Sequence, residues 1–325
     1  MTWPTTWPAN GLTVAIGGGA LAVAAGFWLW RRRRLLRAGL SGVLRPTAEA
    51  PSEWTAWLPP DRFIVVGGLR VRVAQAGRGP ALVLLHGIGA SMHAWRFIFR
   101  PLSERYSVTA LDLPGFGSSA APHDRDFGLD AQADRAEAIL TELGIDRCGL
   151  VGSSMGGAIA LWMSKRNPNR FPKVAALAPA VDDRLAPRGL RWLQAANPAF
   201  ARALGPKVMR LILRRVVARA DLIDQTSVEA YLRPFRESHE PLSSFWGAMK
   251  LLSDPRLPAG LAQPKARVLV LHGARDLLVS RASIARYLKV APKAELMEHP
   301  HGGHHIMEDE PKWTAAALNG FFGRF

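Results

Sequence analysis

Cysteine is nearly absent: Cys148 is alone among 325 residues, so no disulfide can form within the chain. It precedes an apolar run and reads as a small buried hydrophobe. Acidic residues are also few, 26 against 42 Lys and Arg, which leaves a formal charge of +16. A balance of that sign turns attention to nucleic acid and to anionic membranes. No zinc-ligand spacing, aromatic–basic RNA motif or helix-turn-helix pattern accompanies it, which argues against a nucleic-acid partner.

Charge is missing altogether from residues 11–30 (GLTVAIGGGALAVAAGFWLW). As a helix these twenty residues would rise about 30 Å, the thickness of a hydrocarbon core. Trp28 and Trp30 close the stretch, and Arg31, Arg32, Arg33, Arg34 and Arg37 follow it. No Lys or Arg precedes Gly11, so the positive-inside rule predicts a single-pass anchor over residues 1–30 with everything from Arg31 onward cytoplasmic. A cleaved signal peptide would carry its charge before the apolar run. A surface helix would show a polar face. Residues 31–60, with Pro46, Pro51, Pro59 and Pro60 around Trp54 and Trp57, read as a juxtamembrane linker.

A globular pattern then begins. Residues 63–66 and 69–74, separated by Gly67-Gly68, predict a hairpin. Short Val/Leu/Ala runs at 81–85, 108–111, 148–151, 174–177 and 268–271 have the look of strands buried on both faces. Helical patterns at 130–143 and 156–166 alternate with them, which argues for a mostly parallel α/β sheet. Strand signals are lacking from 182 to 264, where Arg-rich helical stretches such as 207–219 (KVMRLILRRVVAR) stand instead. The expected organisation is a core in two parts, 61–181 and 265–325, with a helical cap at 182–264 between them.

Within this frame Gly152-Ser153-Ser154-Met155-Gly156 is a Gly-x-Ser-x-Gly turn after a strand and before a helix. Only Ser154 lies midway between the glycines, which makes it the candidate nucleophile. His86-Gly87-Ile88-Gly89 follows the strand at 81–85; the backbone N–H groups of Ile88 and Met155 are the candidate oxyanion hole. His86 itself reads as a structural histidine. The base is sought among His299, His301, His304 and His305; His304, after Gly302-Gly303, is preferred, with His305 as fallback. No Cys or paired carboxylate stands with these histidines, so neither a metal nor a cofactor is expected. Asp276, on the loop after 268–271, is the candidate acid, with Asp182 and Asp183 as alternatives.

The order Ser154, Asp276, His304 resembles that of the α/β-hydrolase superfamily. So do His86-Gly87-Ile88-Gly89, Asp112-Leu-Pro-Gly-Phe-Gly-Ser118, and Gly303-His304 followed by Pro311. The resemblance runs from about residue 60 to the end of the sequence and implies the α/β-hydrolase fold, with Asp112 structural. A serine nucleophile sets the chain apart from the dehalogenases and epoxide hydrolases of that fold, which use Asp there. A narrower resemblance, in anchor, basic segment, elbow and cap, is to membrane-anchored monoacylglycerol lipases. It implies a lipid ester substrate and a membrane partner through residues 11–30. The cap would form the acyl pocket, and its apolar residues Trp192, Leu193, Phe200, Met209, Leu211, Ile212, Phe235, Phe245 and Trp246 either line that pocket or, for the most part, pack the cap onto the core. Other reactions on the same residues are carbon–carbon bond hydrolysis, thioester hydrolysis and acyl transfer. A non-catalytic accessory protein is the remaining alternative.

Overall fold

The computed structural model describes residues 56–185, 204–237 and 240–323. The expected anchor at 11–30, the arginine block, and Trp54, Trp192, Leu193 and Phe200 lie outside these residues. Among the described residues no helix is long and apolar enough to cross a membrane.

Strands β1 (Asp61–Val66) and β2 (Leu69–Ala76) form the expected hairpin, with Val66 opposite Leu69. Gly67 and Gly68 both take positive φ, 55° and 78°, the requirement of the two-residue turn whose twist matches its strands. Then follow β3 (Ala81–Leu85), β4 (Ser107–Leu111), helix α1 (Leu129–Glu142), β5 (Gly149–Ser153), α2 (Met155–Arg166) and β6 (Lys173–Leu177). After β6 the described residues hold only helices, α3 (Pro206–Val216), α4 (Gln225–Glu237) and α5 (Glu240–Ala248), with short 3-10 turns, before the sheet resumes. This inserted segment is called the cap below. Strand β7 (Arg267–Gly273), α6 (Arg281–Val290), β8 (Glu295–His299) and α7 (Pro311–Phe322) complete the chain.

The eight strands lie in the order β1-β2-β4-β3-β5-β6-β7-β8. Only the pairings of β2 with β1 and β4 are antiparallel. Alternate side chains divide between two apolar layers, as the pleat demands. Val83, Leu85, Val174, Ala176, Val268 and Val270 pack with α1, α2 and α6. Leu82, Leu84, Ala175, Leu177, Leu269 and Leu271 pack on the other face with Trp95, Phe99 and α7. Both faces being covered explains why these strands are continuous apolar runs. Cys148 is buried, 3 % exposed, just before β5.

Two expectations are adjusted. The end of the expected linker is docked: Trp57 N–H donates to the Arg96 carbonyl at 2.8 Å and its ring meets Phe99 edge-on at 5.8 Å. Strand β8 was not among the expected strands. It is a largely exposed edge strand of sequence ELMEH, defined by its parallel pairing with β7.

Candidate active site

Parallel strands end on one side of a sheet, and loops there gather residues distant in sequence. Ser154 sits between β5 and α2 with φ 52° and ψ −114°, a conformation that costs a non-glycine residue energy and that the surroundings must hold. They do so through its backbone. Its N–H donates to the Leu177 carbonyl at 2.9 Å, and its carbonyl accepts from Ala180 at 2.9 Å and Ala158 at 3.1 Å. The flanking glycines are obligatory. A Cβ on Gly152 would lie 2.2 Å from the Gly156 carbonyl oxygen, and one on Gly156 would lie 2.1 Å from that of Leu85. Ser154 is 6 % exposed, whereas Ser153 is fully buried.

The loop after β3 lies against this serine. A Cβ on Gly87 would come within 3.2 Å of Ser154 Cβ and 3.8 Å of its Oγ. Ile88 follows in that loop, and Met155 is the first residue of α2, where N–H groups have no partner within the helix. His86 bears out its structural reading. Its Nε2 accepts the Leu113 N–H at 2.9 Å and its Nδ1 donates to the Gly87 carbonyl at 2.7 Å. Burial holds the ring below its ordinary pKa, neutral as this pair of bonds requires. Asp112 is structural too, accepting from the N–H groups of Met92 at 2.7 Å and Ser118 at 2.9 Å.

His304 Nδ1 donates to Asp276 Oδ2 at 2.8 Å, which leaves Nε2 as the basic nitrogen of the ring. The other Asp276 oxygen accepts the N–H groups of Leu278 at 2.7 Å and Val279 at 2.9 Å. Burial pushes this carboxyl up, but His304 and those N–H groups together outweigh it and hold the pKa below the usual range. Asp276 is therefore an ion with a fixed orientation. Its loop meets that of the base: Gly273 touches Gly302, and Arg275 N–H donates to the Gly302 carbonyl at 2.9 Å.

The alternatives are taken up elsewhere. Asp182 binds Ser283 Oγ at 2.8 Å and the Arg286 guanidinium; Asp183 lies beside Arg184. His305 bonds Glu308 at 2.8 Å, His301 faces Arg275 at 3.0 Å, and His299 packs on Trp313. Among the cap residues expected to line a pocket, Phe245 and Phe235 do reach the loop over Ser154, 3.2 Å and 3.9 Å from where a Gly89 Cβ would stand. Leu211 and Ile212 do not belong with them. They are 59 % and 39 % exposed on the outside of α3, because Met209 and Leu213 supply that helix's buried face. Sequence reasoning also missed Tyr231, Arg96, Glu308 and Asp309, a buried polar group beside His304. An acidic pair closing a helical turn carries no signal of burial.

A family model described as the alpha/beta hydrolase fold matches residues 80–311. The chain belongs to that family. This α/β-hydrolase is 28% identical over 257 residues to 2-hydroxymuconate semialdehyde hydrolase of Pseudomonas sp., covering 75% of this chain and 87% of that one. It is 28% identical over 241 residues to the pimeloyl-[acyl-carrier protein] methyl ester esterase of Nitrosomonas europaea, covering 72% and 92%. Among solved structures it resembles a membrane phospholipase A described as a bacterial virulence factor, at TM-score 0.65 and 26% identity over 96% of each chain. It is a hydrolase of the α/β-hydrolase family.

Proposed function

We propose that this hydrolase is a membrane-anchored serine esterase that cleaves lipid-derived esters such as monoacylglycerols or lysolipids. The observation that carries the esterase reading is the strained Ser154 beside the loop of Gly87 and Ile88, together with the bonded pair His304–Asp276. Ser154 Oγ attacks the ester carbonyl while His304 Nε2 takes its proton. The N–H groups of Ile88 and Met155 receive the oxyanion. Asp276 stabilises the imidazolium, which then protonates the departing alcohol. Water, activated by the same nitrogen, hydrolyses the acyl-enzyme and restores Ser154.

Three features support a lipid substrate. Residues 11–30 have the length and apolarity of a span. Exposed Leu211 and Ile212 lie on α3 among Lys207, Arg210, Arg214 and Arg215, the composition of a helix that rests on an anionic surface. The similar solved structure is of a membrane phospholipase A. The positive-inside rule puts the catalytic part on the cytoplasmic side.

A second reading, carbon–carbon bond hydrolysis on the same serine, is favoured by the similarity to 2-hydroxymuconate semialdehyde hydrolase. The full chain in detergent would be labelled with a fluorophosphonate and assayed on glycerol and p-nitrophenyl esters of increasing acyl length. The proposal expects labelling at Ser154 and kcat/KM rising to long chains. A preference for short water-soluble esters sinks the lipid reading, and turnover of a dienol ketone in place of any ester favours the second.

A further inference from the structure

The helical turn Ile306–Asp309, just past His304, carries two consecutive buried carboxylates that the proposed chemistry does not use. Asp309 Oδ2 accepts the N–H of Gly303 at 2.7 Å and that of Ala218 at 3.1 Å, and Oδ1 accepts the N–H of Arg219 at 3.0 Å. Gly303 immediately precedes His304. Ala218 and Arg219 belong to the cap, just after α3. One carboxylate thus bridges cap backbone and base loop, and the two touch directly. A Cβ on Gly303 would stand 2.9 Å from the Ala218 nitrogen, and His305 N–H donates to the Val216 carbonyl at 3.0 Å.

Glu308 repeats the arrangement with side chains. The Tyr231 hydroxyl, from α4 of the cap, donates to Glu308 Oε1. His305 Nδ1 meets the same oxygen at 2.8 Å, and Arg96 Nη1 reaches Oε2 at 2.6 Å. The His305 ring in turn stacks on that of His304, centroids 5.8 Å apart and 24° between planes. A buried ion is tolerated only when its bonds are complete, so each carboxylate fixes every group it touches.

The structure assigns Glu308 and Asp309 as positioning residues that fasten the cap to the loop of His304, so that the base is held in its working place only while the cap is seated. This rests on the reading of Ser154, Asp276 and His304 given above. The charged and titratable groups around Asp309 are Glu308 and Glu310 on its own stretch, Arg219 from the cap, His304 and His305 from the base loop, and Arg96 behind Glu308. Burial pushes the Asp309 carboxyl up to about 6, against the pull of its three N–H partners. Because burial in the seated fold raises this pKa, protonation favours the seated state, and it is the hydrogen-bond geometry that fastens cap to loop.

The test uses the full chain in detergent, a short p-nitrophenyl ester, and Asp309→Asn. The variant is expected to lower kcat by about ten- to hundredfold with KM within about threefold, the mark of misplaced catalytic groups. Amide exchange in a peptide spanning residues 300–305 should quicken. Unchanged kcat, or unchanged exchange, overturns the assignment. So does a rise in KM large enough to account for the loss of kcat/KM. If Asp309→Asn does not fold, Tyr231→Phe decides: lower kcat with faster exchange at 300–305 sustains the clasp, and no change in either removes it. Should the wild type fail to take a fluorophosphonate, the nucleophile reading falls, and the exchange measurement alone judges the clasp.

Discussion

Ser154 holds an unfavourable backbone conformation that three hydrogen bonds to β6, the loop after it and α2 enforce. Ser154→Ala leaves that scaffold in place. It is expected to fold like the wild type and to lose fluorophosphonate labelling and ester turnover together. Asp276→Asn is subtler. A carboxamide still fills the space, but it can present an N–H to His304 and so favour the tautomer with the proton on Nε2. A fall in kcat of about 10³- to 10⁴-fold is expected, with a lowered Tm at neutral pH. The Asp276 pKa is depressed in the fold, so its ionised form adds stability above the ordinary carboxylate range, and that stability is lost as pH falls through the depressed value. Acid denaturation followed by circular dichroism should therefore begin at a lower pH relative to the neutral plateau in Asp276→Asn than in wild type.

At the junction of β3, β5 and α2 backbones approach without room for a Cβ. Gly156→Ala would force α2 away from the Leu85 carbonyl, 2.1 Å from the new Cβ. A loss of about 3 kcal/mol or more is expected, measurable by urea unfolding, since neither backbone can yield alone. The turn Ile306–Asp309 behaves in the opposite way. Asp309 is raised to about 6 from an ordinary 3.8, so the native state binds a proton that the unfolded chain has released, and stability declines as pH rises through that window. At pH 7 this amounts to about 3 kcal/mol. The Tm difference between Asp309→Asn and wild type should consequently shift in the variant's favour between pH 4 and pH 7. These elements differed in how far the sequence exposed them. Strands β3 and β5–β7 are written as apolar runs because both their faces are buried, and Ser154 is marked by glycines that no other residue can replace. Strand β8 and the Glu308–Asp309 pair carry no such mark. An edge strand keeps polar residues, and the two carboxylates are buried by partners distant in sequence, Arg96 and Tyr231 for one and Ala218 and Arg219 for the other.

For the whole molecule, the cap's exposed Leu211 and Ile212 and the apolar residues 11–30 are proposed to meet the same bilayer. Leu211→Ser with Ile212→Ser should weaken binding to anionic vesicles by roughly tenfold, the worth of two apolar side chains near a membrane, and leave short-ester turnover unchanged. Deleting residues 1–30 should move the protein from the membrane pellet to the supernatant on fractionation. Cys148 makes such measurements simple. The one thiol of the chain is sealed against β5, and burial pushes its pKa up to about 12, so at neutral pH it is inert toward maleimides. A cysteine introduced in place of Leu211 would be the sole reactive handle on the native protein, and a fluorophore placed there would report when the cap enters lipid.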